Sequence, residues 1–186
     1  MDIIKEGVQH VTGLRLNLRL VQSEDADYIF RLRTDPAFNT HLSAVNGTAD
    51  DQRRWIENYK VREARGEELY YIIERLDGVR CGTVRLYDIS AGSFTWGSWI
   101  LDSNKPRKAA LESAVLSFSI GFDELSLERG LVAVNIGNDR AEAFYRRLGM
   151  IETHRSAHEI FFVYPRAKFE ADRAGYRAIL GEVTGE

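Results

Sequence analysis

The stretch Asn138–Met150, NDRAEAFYRRLGM, carries the pattern on which the reading of this chain turns. Ala141, Phe144, Tyr145 and Leu148 recur at helical spacing and predict a short amphipathic helix. Asn138 can cap its start, and Gly149 can close its end in the left-handed conformation. Arg146 and Arg147 fall in the last turn, where the helix dipole favours cations. The odd member is Tyr145, on the buried stripe two turns below an asparagine at the open end. A phenylalanine would fill a core without a hydroxyl to satisfy.

Working outward, RGLVAVNI (129–136) reads as a strand leading into that helix. Before it, Leu111, Val115, Phe118, Phe122 and Leu125 keep helical spacing and predict a long helix from about Pro106 to Asp123. SFTWGSWIL (93–101) is a strand with Gly97 inside it, which marks a bulge or a close backbone approach. LYYIIERL (69–76) and VRCGTVRLYDI (79–89) flank Asp77-Gly78, a hairpin signal. Leu14, Leu16, Leu18 and Leu20 alternate with polar residues as in a half-buried strand. Ser23 can cap a helix ending near Asp35-Pro36. Thr48 to Asp51 forms a capping-box start for a second helix that carries Trp55, Ile56 and Tyr59 and fades by Gly66. Two late strands are expected at 150–156 and 158–164, then a C-terminal helix over 166–186 started by Pro165. Residues 1–13 read as a loose or swapped arm. The order predicts a mixed α/β single domain.

The bulk numbers narrow the classes. The 186 residues suit one domain, and a net charge of −3 argues against a nucleic-acid binder. The single cysteine, Cys81, excludes an internal disulfide and fits the cytoplasm. No apolar run is long enough for a membrane span, and no metal-ligand spacing occurs. Cys81 reads as a small core residue, and His154 and His158 as structural residues on the late strands.

The element order and the NDRAEAFYRRLGM stretch together resemble the GNAT superfamily of acyl-CoA-dependent N-acyltransferases. Within it the chain looks like the branch of ribosomal-protein, spermidine and amino-sugar-nucleotide acetyltransferases. The resemblance covers roughly residues 14 to 164. It rests on Asn138, Ala141, Tyr145, Gly149 and Met150, placed after a strand. It implies a mostly antiparallel twisted sheet, splayed at its middle strands and flanked by helices, with acetyl-CoA or another acyl-CoA as co-substrate.

The resemblance also assigns expected roles. Tyr145 would protonate the departing thiolate, which suits a phenol with an ordinary pKa near 10. Asn138 would bind the cofactor arm, and backbone near Trp99, Ile100 and Leu101 would hold the pantetheine. Gly97 could free an N–H to polarise the thioester carbonyl, or could be a packing glycine between Trp96 and Trp99. The pyrophosphate loop, at the start of the long helix, aligns with Lys105-Pro106-Arg107-Lys108-Ala109-Ala110, where Lys105 suits the basic first position and Ala110 the last. Lys108 stands where the family has glycine, and Pro106 deletes an N–H. Either the side chains of Lys105, Arg107 and Lys108 replace backbone donors, or the site is remodelled. A family Glu aligns with Thr95, so the general base is open among Asp88, Glu74, His41 and a water chain. Residues 36–60, with Arg53, Arg54 and Trp55, would line the acceptor side. The expected reaction is acetyl transfer to a primary amine of a small molecule, an amino-sugar nucleotide foremost. The alternatives are a protein N-terminus or a silent acyl-CoA-binding module. A homodimer through the strands after residue 150 is compatible with the sequence.

Overall fold

The computed structural model describes residues 6–181, the side chain of Glu6 aside. A short helix α1 (Glu6–Gln9) leads into β1 (His10–Thr12) and β2 (Leu16–Leu20). A 3-10 turn at Ser23–Asp25 opens α2 (Ala26–Thr34), followed by α3 (Pro36–Asn39) and α4 (Ala49–Ala64). Then come β3 (Leu69–Arg75), β4 (Arg80–Ser90), β5 (Ser93–Leu101) and α5 (Ala109–Ser119). The chain closes with β6 (Arg129–Asn135), α6 (Asp139–Leu148), β7 (Ile151–Arg155), β8 (Glu159–Pro165) and α7 (Arg166–Gly181).

All eight strands form one sheet in the order β1-β2-β3-β4-β5-β6-β8-β7. Each neighbouring pair is antiparallel except β5 and β6. That parallel pairing is short: Ser93 faces Arg129, Phe94 faces Gly130 and Thr95 faces Leu131. Beyond Thr95 the two strands part, and the sheet opens at its middle. A bulge sits at the same place. From Thr83 to Arg85 on β4, the partner strand advances from Ile100 to Gly97, one residue more. The residue in positive φ is Ser98 (φ 47°), and its carbonyl accepts from Thr83 Oγ1 at 3.0 Å. The bulge resets the alternation of β5: Trp96 and Trp99 serve one face, Gly97 and Ile100 the other.

The two faces carry two cores. Leu18, Phe94, Trp96, Phe118, Tyr145 and Phe162 are packed together under α5, α6 and α7. Ile29, Ile56, Tyr59, Tyr70, Ile72 and Ile100 pack with α2 and α4 on the other side. β3 is buried on both faces, as its near-continuous apolar run requires.

Several expectations hold in detail. Thr48 and Asp51 close a reciprocal capping box, and Gly78 takes φ 83° in the hairpin turn. Others need correction. Residues 6–12 are not an arm: β1 pairs with β2 of the same chain, Val8 is buried, and its carbonyl accepts from Tyr71 at 2.8 Å; residues 1–5 lie outside the described residues. Leu14 precedes the strand and is exposed, and Gln22 rather than Ser23 sits at the N-cap of the 3-10 turn. Pro165 ends β8 instead of starting α7, and the stretch 182–186 of the expected last helix lies outside the described residues.

The long helix begins three residues later than its first proline suggests. Pro106 lies in the turn before it, and Lys108 is its N-cap, in the left-handed conformation (φ 64°, ψ 8°). Its far end widens into a π turn at Ile120–Glu124, with Leu125 N bonded to Ile120 O. A buried carboxylate pins the start. Glu112 Oε1 accepts from the backbone N–H groups of Arg15 (2.7 Å) and Leu16 (3.2 Å).

Candidate active site

The parting of β5 and β6 leaves a cleft of about 800 Å³. Its walls are β5 from Trp96 to Leu101, the tip of β6 from Ala133 to Asn135, and α6 through Asn138, Arg140, Ala141 and Tyr145. The far side is α3 and the loop behind it, Ala37 to Ser43, with Arg33 of α2. Tyr70, Tyr87 and Glu159 complete the lining.

Tyr145 comes from the α6 side. Its ring meets Trp96 edge-on at 5.9 Å and Phe162 at 5.9 Å. Its hydroxyl has no hydrogen-bond partner among the described residues. Burial, and after it the nearby Tyr87, raise the Tyr145 phenol well above its ordinary value. It is therefore neutral at ordinary pH. Asn138 caps α6 through its side-chain oxygen, which accepts from Ala141 N at 3.3 Å. The cap occupies the acceptor half of the amide and leaves its NH₂ donors outside that bond. Gly149 closes α6 with φ 99°.

Trp99, Ile100 and Leu101 line the cleft where β5 ends. Trp99 and Trp96 are held by the serines of α5: Trp99 Nε1 donates to Ser113 Oγ at 3.1 Å, and Trp96 Nε1 to Ser117 Oγ at 2.8 Å. Gly97 is not wedged between tryptophans. A Cβ there would lie 3.2 Å from the Tyr87 ring and 3.3 Å from its hydroxyl.

Lys105 and Arg107 lie in the turn between β5 and α5, Lys108 is the N-cap, and Ala109 and Ala110 open the helix; none of the five is among the residues that line the cleft. Lys105 and Arg107 are exposed. The Lys108 ammonium, by contrast, donates to the carbonyl of Ile179 near the end of α7 at 2.5 Å. Lys108 takes the left-handed backbone that a glycine would adopt, at the N-cap of α5.

The base candidates separate. Glu74 is tied to Arg19 at 2.7 Å. Asp88 lies at a bulge of β4 (φ 48°) and is not among the residues that line the cleft. His41 does line it, and its carbonyl accepts from Asn135 Nδ2 at 3.2 Å, tying the loop to the tip of β6. Thr95 stands opposite Tyr87. Arg53, Arg54 and Trp55 do not line the cleft: Arg54 is an exposed partner of Asp51, and Trp55 stacks on Tyr59. The cations that line it are Arg33 and Arg140, which sequence reasoning missed. Arg33 Nη2 donates to Ser43 Oγ at 2.8 Å. Their only sequence signal is placement next to elements whose packing is set by distant residues. Cys81 is buried, and its thiol is pushed up to about 12, first by burial and then by Asp102. No group able to hold a metal ion occurs among the described residues, and no helix among them is long and apolar enough to cross a membrane.

The sheet opened at its centre thus brings a buried phenol and a capped helix to one cleft. Residues 15–151 match the acetyltransferase (GNAT) domain, and the chain belongs to that family. Among solved structures it is similar to one titled apo FdhC, a nucleotide-linked sugar GNAT. The identity is 38% over 92% of this chain and 98% of that one, with a TM-score of 0.85. It also shares its fold with the spermidine N-acetyltransferase of Vibrio cholerae in complex with CoA and spermine (17% identity, 85% and 99% of the two chains, TM-score 0.74). The ribosomal-protein-S5-alanine acetyltransferase of Vibrio fischeri is a further fold match (13% identity, 86% and 98%, TM-score 0.74). No curated protein matches the chain by sequence.

Proposed function

We propose that this chain transfers an acetyl group from acetyl-CoA to the amine of a nucleotide-linked amino sugar in the cytoplasm, by direct attack in a ternary complex. The observation that carries this reading is the cleft between the parted strands, with Tyr145, Asn138 and Arg140 on one wall and Arg33 on the far side. The end of β5, the turn at 105–108 and the N–H groups at the start of α5 are where acetyl-CoA would lie. The left-handed Lys108 supports a working cradle rather than a lost one. Tyr145 would hand its proton to the leaving sulfur. Arg33 and Arg140 give the cleft positive charge suited to the diphosphate of an activated sugar. The 38% identity to a nucleotide-linked sugar GNAT points the same way.

The test is release of free thiol from acetyl-CoA in the presence of three acceptor groups: thymidine- and uridine-diphosphate amino sugars, polyamines, and peptides with a free N-terminus. The expected result is turnover with a nucleotide-linked sugar at a kcat/KM well above the other two. Faster turnover with a peptide or polyamine would overturn the acceptor assignment.

A further inference from the structure

In the acetyl-transfer reading Tyr145 protonates the departing thiolate, and the opposite need is a group that takes a proton from an ammonium. Among the described residues that line it, Glu159 carries the only carboxylate. Glu159 is the first residue of β8 and pairs with Asn135 at the tip of β6, where that strand has left β5. Its side chain is half-buried and makes no hydrogen bond or ion pair among the described residues. Other carboxylates among the described residues are held by arginines: Glu74 by Arg19, Glu68 by Arg62 and Arg85, Glu152 by Arg146 and Arg155.

The sheet register places Glu159 on the acceptor face. Paired residues share a face. Tyr87 pairs with Thr95, and Thr95 with Leu131. Counting by twos along β6, Leu131, Ala133 and Asn135 point the same way, and Glu159 stands beside Asn135. Tyr87 and Glu159 therefore lie on the side of α2 and α4, whereas Tyr145 belongs to the core on the other side. The Tyr87 ring lies over Gly97, next to the bulge. Burial raises the Tyr87 phenol above its ordinary value; Arg85 opposes that, and Asp88 and then Glu159 add to it, so the Glu159 charge is felt at the Tyr87 hydroxyl.

We propose that Glu159 is the general base of this cleft and that the Tyr87 hydroxyl holds the acceptor nitrogen in line with it, on the face opposite Tyr145. This rests on the acetyl-transfer reading above. Glu159 takes one proton from the acceptor ammonium, and that proton later passes to solvent. The freed nitrogen pair forms the C–N bond at the thioester carbon, and the carbonyl π pair moves to oxygen. When the carbonyl reforms, the C–S pair leaves on sulfur and takes the Tyr145 proton. Tyr145 is made whole by the second nitrogen proton. The sum is one amide, one free thiol and one proton released.

The measurement uses Glu159→Gln, Glu159→Asp and Tyr87→Phe, with thymidine- and uridine-diphosphate amino sugars as acceptors. Acetyl-CoA affinity by calorimetry serves as the control for folding and donor binding. Glu159→Gln should lower kcat about a hundredfold or more with unchanged donor affinity, and Glu159→Asp should recover part of it. The deficit should narrow as pH approaches the amine's own pKa, because the acceptor then arrives neutral. Tyr87→Phe should raise the acceptor KM more than it lowers kcat. The other titratable and charged groups facing the cleft are Arg33, His41, Tyr70, Arg140 and Tyr145, so a limb that stays in Glu159→Gln and goes in His41→Gln would overturn the assignment. Equal rates in wild type and Glu159→Gln, or a deficit independent of pH, would also overturn it. Acceptor-free hydrolysis of acetyl-CoA separates the two readings, since water then replaces the amine. Hydrolysis that slows in Glu159→Gln while no sugar is acetylated keeps the base and removes the acceptor class. Absence of both reactions in the wild type overturns both.

Discussion

Lys108 offers the sharpest quantitative test of the turn that would hold the cofactor. It sits at φ 64°, ψ 8°, and its ammonium reaches the Ile179 carbonyl. Replacing it by alanine or by glycine removes the same ammonium contact, so the difference between the two variants isolates the backbone. A left-handed alanine costs roughly 1–2 kcal/mol that glycine does not. Glycine gives back about 0.4–1 kcal/mol through the freedom of its unfolded chain. The native-state cost is the larger, so Lys108→Gly should be more stable than Lys108→Ala by about 1 kcal/mol. In a domain of this size that is a Tm difference of about 2–4 °C. Thermal unfolding of the pair, with acetyl-CoA titration beside it, reads the result. Both variants should still bind the donor, because the backbone N–H groups remain. A Lys108→Ala protein as stable as Lys108→Gly would refute the left-handed turn, and abolished binding in Lys108→Gly would refute the backbone cradle.

Further expectations follow from packing and charge. Gly82→Ala would place a Cβ 2.2 Å from the Ile100 carbonyl; backbone cannot swing aside like a side chain, so a loss of at least about 2 kcal/mol is expected in denaturant unfolding. Glu112→Ala would strand the N–H groups of Arg15 and Leu16 that its carboxylate satisfies, and should cost about 2–5 kcal/mol by the same measurement. Tyr145, Tyr59 and Tyr164 all have phenols raised by burial. Their neutral forms stabilise the fold fully below the unfolded value near 10, and that contribution is lost as pH climbs above it. Denaturant midpoints should therefore fall between pH 10 and 11, and fall less in Tyr145→Phe.

The parts of this fold that were legible in the sequence are those specified locally. Asn138 and Gly149 mark the two ends of α6, Thr48 and Asp51 write their own capping box, and Asp77-Gly78 turns a hairpin, each within a few residues. Register and long-range packing were not legible. β1 is three residues long and held by pairing with β2 and by Tyr71, sixty-three positions away from Val8. The bulge was foreseen at Gly97, but the strained φ falls on Ser98, whose carbonyl Thr83 of the next strand holds in place. Glu159 and Tyr87 reach the cleft because β8 and β4 carry them there, and neither has a motif of its own. Lys108 reads as a phosphate ligand because cations at a helix start oppose the dipole; that its ammonium also meets the carbonyl of Ile179, on a helix at the far end of the chain, was not legible.

One measurement bears most directly on the claim that this cleft performs acetyl transfer with Tyr145 as the acid. It is a continuous thiol-release assay of wild type and Tyr145→Phe, with acetyl-CoA and nucleotide-linked amino sugars. The hydroxyl has no partner among the described residues, so Tyr145→Phe should unfold within about 0.5 kcal/mol of wild type at neutral pH and keep its affinity for acetyl-CoA. The account predicts thiol release by the wild type and a rate at least about a hundredfold lower in the variant. Equal rates in the two proteins, or no release by the wild type with any of these acceptors, would contradict it.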